Sequence, residues 1–239
     1  MRAILKKEII QYFHTSIAYI FIGMFMLLAG LLYGLINLAN LSSDIPGFLA
    51  QFSIVSVILT PVLTMRMFCK EFHDATHKLL FSAPIRTSDI VLGKFWAGAA
   101  IIFVSIALSL LFILVTAIYG RVFFAETLLA YIGLFLLCIL FLAIDMFVSS
   151  FAKKQITAIV FCFGINLILW FLDLLANSST EIYAGALRFM SPYQRLRSFL
   201  TGQLSYANTA YFLLLSSVFV LATINRLNVL MFGGLHENR

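Results

Sequence analysis

Residues 66–94, RMFCKEFHDATHKLLFSAPIRTSDIVLGK, hold most of the polar chemistry in the middle of the chain and lie between two strongly apolar segments. Phe72, Ala75 and Leu79 recur at i, i+3 and i+7, so on a helix they share one face, with Thr76 and Leu80 alongside. Asp74 and Lys78 form an i, i+4 pair in the favourable acid-first order, worth about a few tenths of a kcal/mol. Pro84 stops that helix, and Ala83 before it is pushed out of helical geometry. Thr87, Ser88 and Asp89 are all good N-cap types, so a new helix is expected to start there. A short helix, a proline break and a capped re-entry make a rigid knob. An ordinary solvated loop is the plainer reading, but the caps and the mixed polarity favour a docking surface.

The surroundings of this window fix its setting. The chain has 239 residues, 62% of them hydrophobic and 11% charged, with mean hydropathy +1.04. Soluble domains are about half apolar and about a quarter charged, so lipid must be the solvent for most of this chain. The net charge of +6 comes from scattered basic residues, which argues against nucleic acid and suits loops facing an anionic lipid surface. Cys69, Cys138 and Cys162 show no CxxC pairing and are expected to be reduced packing residues. A crossing helix needs about 20 apolar residues. Charge-free lengths then give six spans, at about 17–38, 48–67, 90–119, 127–150, 156–175 and 206–224. Residues 40–47 read as a short turn, and Pro61 predicts a kink in the second span.

Six spans put both ends on one side. With the N-terminus inside, the Lys and Arg count is twelve inside against four outside, which decides for cytoplasmic termini and a cytoplasmic window. Residues 1–15 then form an elbow helix lying in the headgroup plane. Leu5, Ile9, Tyr12 and Phe13 are expected on its apolar face, and Arg2, Lys6, Lys7, Gln11 and His14 on its polar one. The charge-free run 9–43 is too long for a signal-peptide core of about 7–15 residues, so the segment is expected to stay uncleaved.

The run from Glu71 to Lys94, with Thr76, Leu79–Leu80, Ala83–Pro84 and Ile90 ahead of Gly93–Lys94, resembles the segment after the second span of ABC-2 type transporter permeases. The similarity is closest to the branch of gliding-motility and nitrous-oxide-reductase-maturation permeases. His77 and Lys78 depart from a common Leu-Glu, and Ala75 from the usual Gly. The resemblance implies an all-α polytopic protein of the bacterial cell membrane, a single domain over 1–239. It has an elbow helix, a coupling segment at 69–88, and re-entrant helices in an extracytoplasmic loop at 176–205. It implies a second permease subunit, as homo- or heterodimer, and a separate ATP-binding subunit that carries ATP and Mg. This chain has no G-x-x-x-x-G-K-[ST] loop and so no expected cofactor or catalytic residue of its own. Docking of the ATPase subunit falls to Glu71, Phe72, Asp74, Thr76, Leu79, Leu80, Phe81, Ala83 and Pro84. The elbow residues Leu5, Lys6, Lys7 and Ile9 would convey the motion. The expected function is coupling of ATP hydrolysis to substrate movement, as export. A non-transporting membrane anchor or immunity component is the alternative, and a membrane enzyme a third reading without a convergent catalytic cluster.

Three smaller features remain. His73 to His77, HDATH, is a near-match to the zinc-protease H-E-x-x-H helix, but Asp replaces Glu and no third ligand is evident, so no metal is expected. Asp145 is the only acid well inside a span, a pathway candidate against the plainer reading of a hydrogen-bonded carboxyl near Lys153 or Lys154. Asp173 is read as interfacial. In the fifth loop, residues 183–190 and 193–200 are expected as short helices broken at Ser191–Pro192. Ser191, Pro192, Ser198, Phe199 and Gly202 match the S-P…S-F…G pattern of the resembling family. Arg188, Arg195 and Arg197 either line an exit or hold lipid phosphates.

Overall fold

The computed structural model describes residues 2–65, 67, 87–152, 154–178, 185 and 189–236, and among them every regular element is helical, with no strand. The elements are α1 (Arg2–His14), α2 (Ile17–Tyr33) running into a π-helical turn (Gly34–Leu38), α3 (Ile45–Thr64), α4 (Thr87–Ser109), α5 (Leu111–Tyr119), α6 (Phe124–Ser149), α7 (Gln155–Ser178), α8 (Pro192–Leu200) and α9 (Tyr206–His236). Among the described residues, six stretches are long and apolar enough to cross a membrane: Ile17–Leu38, Ile45–Thr64, Thr87–Ile118, Phe124–Ser149, Gln155–Ala176 and Tyr206–Val229.

The third of these is not one unbroken rod. It breaks at Leu110, where the Ser109 carbonyl leaves the helical ladder and accepts instead from the Tyr131 hydroxyl of α6 at 3.0 Å. The start of α3 also differs from expectation. Ile45, Pro46 and Gly47 are helical, because Asp44 caps them through Gly47 N at 2.9 Å and the proline occupies the first turn, where its missing N–H costs nothing.

Helix α6 is the axis. Its window is 78% buried, against 17% for α7, and it packs on α3, α4, α7, α8 and α9. Such a helix is apolar all round because protein rather than lipid surrounds it. An aromatic file on its α2–α3 side, Phe25, Phe52, Phe48, Tyr33 and Phe112, fills the main core in edge-on and stacked pairs. The outward sides of α2, α4, α5, α7 and α9 carry large exposed apolar residues such as Leu27, Phe103, Leu114, Ile168 and Leu214, as lipid-facing surfaces should. Internal contacts define two opposite ends. At one, Thr87 hydrogen-bonds Asn228, and the Arg226 guanidinium lies 4.7 Å over the Phe151 ring. At the other, Tyr33 meets Thr116 at 2.7 Å, and Gly202 lies against Glu126.

Candidate functional site

Helix α1 is bolted to the start of α4. A Cβ on Gly93 would come 2.7 Å from Ile4 Cγ2, so the glycine is what lets the two helices approach. One residue on, Lys94 Nζ reaches Glu8 Oε1 at 3.1 Å, and the two side chains retain only 4% and 8% of their exposure. A pair this dry is tolerated because each ion satisfies the other. Leu5 and Ile9 pack half-buried against the core, Tyr12 is buried, and Lys6, Lys7, Gln11 and His14 point outward, as the periodicity predicts. Phe13 corrects it: the ring lies on the exposed side, edge-on to Tyr19 at 5.5 Å. Its place on the inner face is taken by Glu8, which sequence periodicity alone did not single out.

A second polar feature runs through the bundle. On α3, Ser53, Ser56, Thr60 and Thr64 fall at i, i+3, i+7 and i+11, and all four are buried. Each hydroxyl donates to a carbonyl of its own preceding turn, the usual way a hydroxyl is made tolerable in an apolar helix. The stripe meets Asn166 of α7, whose Nδ2 donates to Thr60 Oγ1 at 3.2 Å and to Asp145 Oδ2 at 3.2 Å. Asp145 is wholly buried, and its partner is this amide on α7; Lys154 is exposed and Lys153 lies outside the described residues. Cys162 donates to the Asp145 carbonyl at 3.4 Å, and Cys138 and Cys162 are both buried thiols, as packing cysteines are. Thus α3, α6 and α7 are tied by one carboxamide. The sequence signal for the α3 stripe, though not for Asn166, is the 3-4-4 hydroxyl spacing.

Helix α8 forms the third unit. Ser191 caps it through Gln194 N at 3.4 Å and Pro192 occupies the first turn. Pro192, Tyr193, Leu196 and Phe199 are buried together. A Cβ on Gly133 of α6 would lie 2.6 Å from Phe199 Cβ, so α8 rests directly on the axis helix. Burial pushes the Tyr193 phenol well above its ordinary range, keeping it a donor to the Ser53 carbonyl at 3.4 Å. The helix ends with Gly202 at φ +72, Gly202 N donating to Phe199 O and Gln203 N to Ser198 O, which is the paired closure a left-handed residue permits. Ser198 accepts from Asn208 Nδ2 at 2.7 Å. Every member of the S-P…S-F…G pattern therefore has a structural task in ending, capping or seating α8.

The two described arginines of this region are engaged by protein. Arg197 pairs with Asp173 at 3.4 Å, so Asp173 faces α8 and also accepts from Ser191 Oγ at 3.4 Å. Arg195 donates to Asn208 Oδ1 at 2.9 Å and lies 4.7 Å over Phe189 and 5.3 Å over Tyr211. Arg188, the expected helix at 183–190 except residues 185, 189 and 190, and the whole docking set (Glu71, Phe72, Asp74, Thr76, Leu79, Leu80, Phe81, Ala83 and Pro84) lie outside the described residues, as do Cys69, His73 and His77. Thr87, Ser88 and Asp89 stand within the first turn of α4.

Residues 1–230 match the family model described as ABC-2 family transporter protein. No curated protein matches the chain.

Proposed function

The chain belongs to the ABC-2 family of transporter proteins, and from that premise we propose that it couples ATP hydrolysis on a separate subunit to export of a substrate. The membership makes it a multi-pass permease component of an ABC transporter. In our reading both termini are cytoplasmic in a bacterial cell membrane, α1 is the elbow helix, α8 is re-entrant, and two permease subunits form the path. The gliding-motility and nitrous-oxide-reductase-maturation branch remains the nearest by its 71–94 pattern.

The observation that supports coupling most is the bolt between α1 and α4. Residues 68–86 precede α4 in the sequence, and the first turns of α4 are held to α1 at Gly93 and Lys94. Force that reaches the first turns of α4 would therefore move α4 and α1 together. The ATPase subunit, holding ATP and Mg, would grip Glu71, Asp74 and the apolar Leu79, Leu80 and Phe81. Asp145, on the axis helix, is the pathway candidate that the α3 and α7 contacts would respond to. Leu80→Asp and Glu71→Lys should insert normally yet lose ATPase copurification and transport. Unchanged copurification and transport in both would overturn the docking assignment, and retained ATPase binding without any transported substrate would favour a membrane anchor.

A further inference from the structure

At the end of the bundle opposite α1, the chain builds a cleft of about 320 Å³ between the end of α2, the loop 39–44 and α5. Its lining includes Tyr33, Asn37, Leu38, Ser42, Ser43 and Thr116, none of them charged. Four observations set it apart from a packing gap. The α2 helix widens to a π-turn here, a departure that recurs at functional sites. Asn37 is 2% exposed and spends its Nδ2 on the carbonyls of Ser42 and Asp44, both at 3.1 Å, leaving Oδ1 with no donor. The Ser43 hydroxyl, half-buried, lines the cleft, and Gly120 keeps it room, since a Cβ there would collide with Ser43 Oγ. Leu41 is held at φ +50, unfavourable for a leucine, with its side chain 94% exposed at the rim.

We propose that this cleft holds the headgroup of a phospholipid bearing a primary ammonium, a role that does not depend on the coupling reading above. The rim selects an amphiphile: Leu35, Leu38 and Leu41 are exposed and continue the apolar outer side of α2. The floor selects the donor, because what it lacks is a hydrogen-bond donor for Asn37 Oδ1, with the Ser43 hydroxyl beside it as a second acceptor, and no cation among the lining residues competes with an ammonium. Arg121, exposed and next in sequence to Gly120 of the lining, is the cation we assign to the phosphate. A quaternary headgroup has no N–H to give and would leave the buried acceptor unsatisfied.

The test uses the full chain in detergent, stripped of copurified lipid, and titrated under native mass spectrometry with one acyl composition and five headgroups: ethanolamine, its N-methyl and N,N-dimethyl forms, choline, and glycerol as the anionic control. Binding should fall about tenfold from ethanolamine to choline, with the sharpest step at loss of the last N–H. Leu38→Trp, which enlarges an exposed side chain at the cleft mouth, should erase that preference, and Ser43→Ala should weaken the ethanolamine lipid severalfold while leaving the choline lipid unchanged. Equal affinity across the series, or phosphatidylglycerol binding as tightly as the ethanolamine lipid, would overturn the ammonium assignment. A preference that survives both variants would place it elsewhere and overturn the site.

Discussion

Glu8 Oε1 and Lys94 Nζ lie 3.1 Å apart across the α1–α4 junction with both side chains nearly dry. The pair fixes the angle at which the first helix meets the first turns of α4. Removing one partner leaves the other ion buried without this contact, a cost of up to about 3–5 kcal/mol. Glu8→Ala and Lys94→Ala should each lower the thermal unfolding midpoint of the purified protein by many degrees. The double variant Glu8→Leu, Lys94→Met should be more stable than either single one, since no ion is left uncompensated. A double variant worse than both would mean that the lysine is held mainly by other groups.

The adjacent contact can be tested separately. Gly93→Ala puts a methyl 2.7 Å from Ile4 Cγ2, a distance that requires the helices to part. The expected result is destabilisation of about 1–3 kcal/mol, as for other overpacked contacts, and rescue by Ile4→Ala. Cysteine crosslinking between α1 and α4 would fall in Gly93→Ala and return in the double variant.

How much of this was legible beforehand differs by feature and for a physical reason. All six spans were, because charge-free length is set by bilayer thickness and needs no tertiary information. Their starts moved by about three residues in α3, α4 and α6; in α4 the cap-type Thr87, Ser88 and Asp89 entered the helix, and in α3 the Asp44 cap drew in Ile45, Pro46 and Gly47. The Gly93–Lys94 dipeptide was legible as a pattern but not as a contact: periodicity within α1 cannot reveal that Glu8 faces a lysine 86 positions on. Asn166 was invisible for the same reason, being one amide in an apolar run. The fifth-loop pattern came through the family resemblance; Ser191, Pro192 and Gly202 act locally in capping and closing α8, whereas Phe199 seats it on Gly133 of α6.

Asp145 and Asn166 should be energetically coupled. Their hydrogen bond is 3.2 Å long and both residues are fully buried, so breaking it leaves a polar group without its partner, at about 1–3 kcal/mol. Asn166→Leu and Asp145→Leu should each destabilise, and the double variant should cost less than the sum, by a coupling of about 0.5–3 kcal/mol in a double-mutant cycle. Additive losses would show that the carboxamide does not join α6 to α7. Transport by Asp145→Asn equal to that of the parent protein would dispose of any pathway role for its charge.

Gly202 closes α8 at φ +72, and the position next to it is occupied by Glu126 of α6, whose Cγ would lie 2.7 Å from an added Cβ. Two costs therefore coincide in Gly202→Ala. The left-handed backbone costs an alanine about 1–2 kcal/mol, and the glutamate must move as well. Glu126→Ala removes the second cost and leaves the first. Hydrogen exchange at the end of α8, read at the Gly202 and Gln203 amides that donate to Phe199 and Ser198, should quicken in Gly202→Ala. Adding Glu126→Ala should recover part of the protection and not all of it, because backbone strain is indifferent to the neighbour. Complete recovery would assign the whole effect to crowding, and none would assign it to conformation, so one measurement separates the turn from the contact that covers it.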